Sequence, residues 1–462
     1  MTNTTRQEPP ATVPERTQQA GEVRAHWAWA AAAVWTDRML TALENGVKGG
    51  VWFRLIDKVY SPRNLQAAFA KVRANGGAAG VDHQTIARFA KHLEENLTRL
   101  SEQLRHDTYR PQKIRRVQIP KPGSRERRPL GIPTVRDRVV QTALRQVIEP
   151  IFERDFAEHS YGFRPGRGCK DALRRVDALL AAGYVHVVDV DFKSYFDTIP
   201  HERLMQRVRT KIADGRVLRL IESFLTQSVL EGMQTWTPTA GSPQGAVISP
   251  LLSNVYLDPL DKLMAEGGFE MVRYADDLVI LCRDAAAAEA ALARVRSWTA
   301  EAGLTLHAGK TRIVDLNGPD RFDMNRPDGF DFLGYHFQRD RRRPQRFHRW
   351  PREKSVRKLE DTLRAKTPRT SGRSLSVIIA NVNRTLRGWF EYFKHTNVAT
   401  VFPQLDGRLR RRLRRILLKR RKQHRHQGRG RAHQRWPNAY FAEHGLYSLA
   451  VAHALARQPA PR

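Results

Sequence analysis

The chain reads as an α+β protein: helices first, then a small antiparallel sheet with helices on it, then an all-helical unit and a basic tail. Three observations predict this. Apolar residues recur at helical spacing from about Ala25 to Leu104. Short apolar runs at Val185–Val190, Met271–Tyr274 and Leu278–Leu281 have the length of buried strands. Beyond Phe332 the composition shifts toward arginine, and apolar residues return at three- and four-residue spacing. With 462 residues and a 41% hydrophobic fraction, two or three domains can each build a core.

In chain order, residues 1–24 are expected to form a disordered leader, because the first twenty are polar and Pro-containing without a hydrophobic period. A unit over 25–338 begins with a helical extension to about residue 110, broken at Asn75-Gly76-Gly77 and Gly80. Strand-like Lys113–Ile119 and the turn Lys121-Pro122-Gly123-Ser124 follow. The runs ending at Tyr274 and starting at Leu278 make a hairpin with Ala275-Asp276-Asp277 at its tip. Asp284 and Gly303 bracket an Ala-rich helix as cap and stop. Arg341-Arg342-Arg343-Pro344 reads as a linker, which places a helical unit at 339–400. There Leu375, Ile378, Ile379, Val382, Leu386, Trp389, Phe390 and Phe393 form one apolar face, expected to be core. A basic region over 401–462 closes the chain; Gly407–Trp436 holds 14 Lys or Arg and no acid, a charge run that points to a polyanion.

Charge narrows the function classes. Eighty Lys and Arg against 47 Asp and Glu leave +33, and counterion release rewards such a chain for binding many phosphates, so nucleic acid is the expected partner. Only Cys169 and Cys282 are present, which supports neither a disulfide framework nor a cysteine zinc site and fits a reducing compartment. The apolar stretch Trp27–Trp35 is too short to span a bilayer and too far from a basic start for a signal peptide, so a cytoplasmic protein is expected, with no membrane partner.

The chemistry gathers at strand ends. Asp191 ends one strand and begins Asp191-Phe192-Lys193-Ser194-Tyr195-Phe196-Asp197, while Asp276 and Asp277 sit on the hairpin. Carboxylates brought together repel unless compensated, and hard oxygen ligands of this kind bind Mg²⁺ while leaving room for water and phosphate. An Asp-Asp pair alone is equally a turn. Asp189 shares a strand face with Asp191 and is its rival.

These segments resemble the reverse transcriptases encoded by group II introns. Tyr274-Ala275-Asp276-Asp277 is similar to their catalytic tetrapeptide, and the run from Asp191 to Asp197 to their first acidic motif. Arg128-Pro129-Leu130-Gly131-Ile132-Pro133, Tyr161-Gly162-Phe163-Arg164-Pro165, Gly241-Ser242-Pro243-Gln244-Gly245 with Ser249-Pro250-Leu251-Leu252, Gly309-Lys310-Thr311 and Phe332-Leu333-Gly334-Tyr335 follow in the family's order. Arg387-Gly388-Trp389-Phe390-Glu391-Tyr392-Phe393 resembles the maturase segment that follows the polymerase.

The resemblance implies a right-hand polymerase, with fingers and palm over 25–338, a helical thumb or maturase domain and a basic nucleic-acid-binding region. It implies catalytic Asp191, Asp276 and Asp277 holding two Mg²⁺ ions, with Mn²⁺ as a substitute and the Phe192 carbonyl as a further ligand. Asp191 is preferred to Asp189 because five residues separate it from Phe196, the family spacing. Phe196 would lie beneath the sugar and disfavour a ribose 2′-hydroxyl, with plain core packing as its other reading. Lys121, Arg128, Gln244 and Lys310 would bind dNTP; Arg384, Arg387 and Lys394 would contact RNA.

The implied partners are group II intron RNA, an RNA template with DNA primer, target DNA and dNTPs, with a dimer one option for the oligomeric state. The implied setting is a bacterial cytoplasm, at the nucleoid. The paired cysteines of the endonuclease found in many relatives are missing here, so no such nuclease is expected. Two other functions stay open: a splicing-only RNA-binding maturase with an inactive polymerase, and a bacterial reverse transcriptase outside introns, for instance in defence.

Overall fold

In the computed structural model of the chain, the described residues are 15–120, 127–319, 328–340, 342–398, 400–421 and 429–457. The leader expectation therefore falls largely outside them. Its end, however, is helical, within a helix Glu15–His26 whose Arg24 bonds Asp37 and the Trp35 carbonyl.

Eleven strands are described: β1 (Ile114–Pro120), β2 (Arg127–Ile132), β3 (His186–Val190), β4 (Val229–Glu231), β5 (Gln234–Trp236), β6 (Glu270–Tyr274), β7 (Asp277–Cys282), β8 (Arg312–Asp315), β9 (Gly329–Phe332), β10 (Tyr335–Arg339) and β11 (Phe347–Pro351). They make a first sheet in the order β2-β1-β4-β5, a central sheet β6-β7-β3-β8 and a third sheet β11-β10-β9. The mixed α+β reading holds. The first sheet is not wholly antiparallel, because β1 and β4 run parallel.

The strand runs of the central sheet are apolar without alternation because both faces are covered. Val188, Val190, Leu278 and Ile280 face a core shared with the helices Ser249–Glu266 and Ala285–Glu301. Val187, Val279 and Leu281 face a second core with the helix Cys169–Ala181 and with Phe330, Phe332 and Phe337 of the third sheet. The Ala-rich helix starts where expected: the Asp284 carboxylate accepts from the Ala287 N–H at 2.8 Å.

Ile248 occupies the cap position of the helix Ser249–Glu266, and the Ser249 hydroxyl donates to the Pro243 carbonyl at 2.9 Å, tying the helix to the preceding Gly-rich turn. One expectation is corrected. The arginine-rich segment before Pro344 joins two strands of one sheet, since β10 and β11 pair from Tyr335↔Pro351 to Arg339↔Phe347. The change in composition there follows solvent exposure at a hairpin tip rather than a break between folding units; Arg341 itself lies outside the described residues.

The helices Glu353–Lys366, Leu375–Phe393 and Val401–Arg420 build a third core. Ile378, Val382, Leu386 and Phe390 of the expected stripe meet Leu359, Leu363, Phe402, Leu405 and Leu413 there. Phe393 instead packs on Tyr335, joining the helical unit to the third sheet. Among the described residues no helix is long and apolar enough to cross a membrane.

Candidate active site

Register brings the carboxylates to one end of the central sheet. β6 and β7 close with Tyr274 opposite Asp277 around a two-residue turn, Ala275-Asp276, and Ala275 adopts φ +60°. Antiparallel pairing of Val190 with Leu278 carries the next residues, Asp191 and Asp277, to neighbouring positions past the ladder. The segment after the Ala-rich helix straps Asp191 down: its carbonyl accepts from His307 N–H at 2.8 Å and its N–H donates to Thr311 Oγ1 at 3.3 Å. Phe192, its ring buried, bridges to Leu306.

The electrostatics match a crowded acidic site. Burial, then the Asp191 charge, raises the Asp276 pKa, against hydrogen bonding to its own backbone and the pull of Arg273. Asp277 is open to water yet enclosed by protein, as at a cleft floor. That enclosure and neighbouring Asp276 lift it to about 6, despite Arg352. Asp189 is pushed to about 7, by burial first and then by Asp277. Lys310 Nζ donates to Asp191 Oδ2 at 3.0 Å.

The donor set fits a divalent cation in chemistry, being hard carboxylate oxygens whose charges are mutually unfavourable until compensated. Among the described residues no group of three or more His, Cys, Asp or Glu is drawn close enough to hold a metal ion. The Lys310 ammonium engages one of the carboxylates, that of Asp191.

A residue that sequence reasoning missed lies directly behind the turn. Arg273, fully buried, bonds Asp261 at 2.7 Å, Asn254 Oδ1 at 3.0 Å and the Ala275 carbonyl at 2.9 Å. Its signal was available: an arginine inside an apolar strand run must have a buried partner.

A cavity of about 460 Å³ opens between the first sheet and the palm. Phe196 and Gln244 line it, together with Pro129, Gly131, Trp236 and Arg116. The Gly-rich turn fits because Gly241 sits at φ +90° with its missing Cβ 2.8 Å from the Phe196 carbonyl, while Gly131 N–H donates to the Gln244 carbonyl at 2.6 Å. Arg128 is not brought into this cavity. Side chains alternate along β2, so with Pro129 and Gly131 on the cavity face Arg128 points from the other. The guanidinium at the cavity is that of Arg116, held over Trp236 at 5.3 Å, which alternation along β1 could have indicated. Lys121 lies outside the described residues.

In the helical unit Arg384 and Arg387 are exposed, Arg387 stacking on Tyr447 at 5.0 Å, while Lys394 is paired with Glu391 at 2.6 Å. Of the basic run, residues 422–428 lie outside the described part. Arg408, Arg411, Arg412 and Arg415 line one groove on the helix Val401–Arg420, with Arg364 across it.

Residues 119–337 match the sequence family described as reverse transcriptase (RNA-dependent DNA polymerase), and residues 356–436 match the group II intron, maturase-specific domain. The chain is 37% identical over 218 residues to the group II intron-encoded protein LtrA of Lactococcus lactis subsp. cremoris, covering 47% of this chain and 36% of that one. It is 32% identical over 331 residues to protein YkfC of Escherichia coli K12, covering 63% of this chain and 84% of that one. A putative COX1/OXI3 intron 2 protein of Saccharomyces cerevisiae matches at 30% over 222 residues, 47% of this chain and 25% of that one. The chain thus spans about a third of the length of its Lactococcus relative.

Proposed function

Because the chain belongs to the family of group II intron-encoded reverse transcriptases, we propose that it is an RNA-directed DNA polymerase that also assists splicing and mobility of its intron RNA. The observation that carries the catalytic part is the strand register that brings Asp277 next to Asp191 at the end of the central sheet, with Asp276 in the adjoining two-residue turn where it feels the Asp191 charge. Divalent cations serve the family generally, and Mg²⁺ is the ion we infer here.

Asp191, Asp276 and Asp277, with the Phe192 carbonyl, would hold two ions, with Mn²⁺ as a substitute. Bound there, such ions activate a primer 3′-hydroxyl and neutralise the leaving pyrophosphate. The protein's own part is positioning. Phe196 and Gln244 shape the cavity for a deoxynucleotide, Arg116 adds positive charge to its wall, and Lys310 is close enough to Asp191 to exchange a carboxylate for a phosphate. Lys121 and Arg128 remain candidates for the triphosphate from the resemblance alone.

The helical unit would grip intron RNA through exposed Arg384 and Arg387, with Lys394 beside them. The basic C-terminal region adds phosphate contacts to RNA template, DNA primer and target DNA. The test is primer extension on an RNA template with Mg²⁺. Wild type should extend and Asp276→Ala should not; equal inactivity of both under conditions that support RNA binding would leave a splicing-only maturase.

A further inference from the structure

We propose that Arg273 is a positioning residue: its bond to the Ala275 carbonyl holds the Ala275-Asp276 turn where Asp276 can share a cation with Asp191. The proposal rests on the polymerase reading above and concerns how that site is kept in shape.

The turn needs external support. Ala275 sits at φ +60°, a left-handed conformation that a residue with a Cβ adopts at a cost, and two-residue turns of this kind favour glycine at that position. Two sets of contacts hold it. On one side Arg273 Nη1 donates to the Ala275 carbonyl at 2.9 Å. On the other, Gly162 lies flush against the turn, where a Cβ would come within 2.1 Å of the Ala275 nitrogen.

Both supports meet in one buried cluster. Asn254 Nδ2 donates to the Gly162 carbonyl at 2.8 Å, and its Oδ1 accepts from Arg273 Nη1 at 3.0 Å. Asp261 accepts from Arg273 Nε at 2.7 Å and neutralises the guanidinium. A salt bridge serving stability alone would be complete with Asp261. The same guanidinium also reaches the turn and, through Asn254, the backbone packed against it. Asn254 and Asp261 project from the helix Ser249–Glu266, which the Gly-rich turn precedes, so the cluster also links the hairpin to the element that follows Gln244.

Only an arginine makes all of these bonds. A lysine keeps the charge for Asp261 but lacks the planar fork that serves three acceptors together. Arg273→Lys therefore separates charge from geometry.

The test begins with metal-free protein, read by amide hydrogen exchange at residues 274–277 and by Mn²⁺ binding without nucleic acid. In Arg273→Lys, exchange in the turn should quicken and Mn²⁺ affinity fall, each by about tenfold or more, the usual scale for losing a partner behind a metal ligand. In primer extension the same variant should need more Mg²⁺ for half-maximal rate, with KM for primer–template unchanged. Asn254→Ala keeps the ion pair and should shift the same readouts less, which covers the case in which Arg273→Lys does not fold. Turn exchange and Mn²⁺ affinity within twofold of wild type in Asn254→Ala, or in a folded Arg273→Lys, overturn the proposal. A wild type that binds Mn²⁺ but extends no primer would overturn the polymerase reading and leave this one standing.

Discussion

Lys310 Nζ lies 3.0 Å from Asp191 Oδ2, joining residues 119 apart in sequence, with both side chains substantially exposed. An exposed pair of this kind contributes at most about 1 kcal/mol to stability, so a divalent cation or a triphosphate displaces it at little cost. Lys310→Met should therefore leave stability within about 1 kcal/mol of wild type. It should also lower the Mg²⁺ concentration for half-maximal rate and raise KM for dNTP. A large fall in melting temperature with unchanged KM would make Lys310 merely structural.

Asp191 and Asp189 are separable by substitution. Asp191→Asn should reduce primer extension at least a hundredfold, the upper range for disturbing a metal site, whereas Asp189→Asn should retain most activity. The reverse ranking in steady-state rates would exchange the two assignments.

The raised carboxyl pKa values give a pH dependence of definite sign. Asp277 at about 6 and Asp189 at about 7 hold protons in the folded protein that the unfolded chain has already released. Metal-free stability from these groups is thus greatest near pH 4 and falls as pH rises toward 7. Asp189→Asn should raise the melting temperature of metal-free protein more at pH 8 than at pH 5. Metal affinity should move oppositely and weaken below pH 6, because a protonated Asp277 is a poor ligand. Titrating Mn²⁺ at both pH values checks this.

Phe196 is half-buried on the cavity wall, so shortening it opens space at little cost to the core. Phe196→Ala should raise ribonucleotide over deoxynucleotide incorporation, read as the ratio of kcat/KM, by about tenfold or more. An unchanged ratio would remove Phe196 from the sugar site.

Gly162→Ala forces a methyl group against the backbone of the catalytic turn. We expect a loss of about 1–3 kcal/mol in stability, together with a larger loss of primer extension than such destabilisation explains. Wild-type activity in this variant would show that the turn tolerates displacement.

Much of the site was legible in sequence because its signals are local. Apolar runs marked β3, β6 and β7, the short Ala275-Asp276-Asp277 interval marked the hairpin, and the order of motifs brought Asp191, Asp276, Phe196 and Gln244 into one reading, while the register that leaves only Ala275 and Asp276 in the turn came from the structure. Arg116 is not legible in the motifs, because a motif names residues without saying which face of a strand lines the cavity. The arginine-rich segment before Pro344 reads as a linker in sequence, because composition records exposure but not pairing partners.

The sequence by itself determined the identity and order of the carboxylates, the hairpin that carries two of them and the apolar face of the helix Leu375–Phe393, since strand and helix periods are written in neighbouring residues. Only the tertiary structure decided that Lys310 meets Asp191, that Arg116 rather than Arg128 faces the cavity, and that Arg273 reaches Ala275 from a pocket shared with Asn254 and Asp261. Those relationships depend on which charge or carbonyl a distant segment brings within bonding distance, and that is set by how the elements pack.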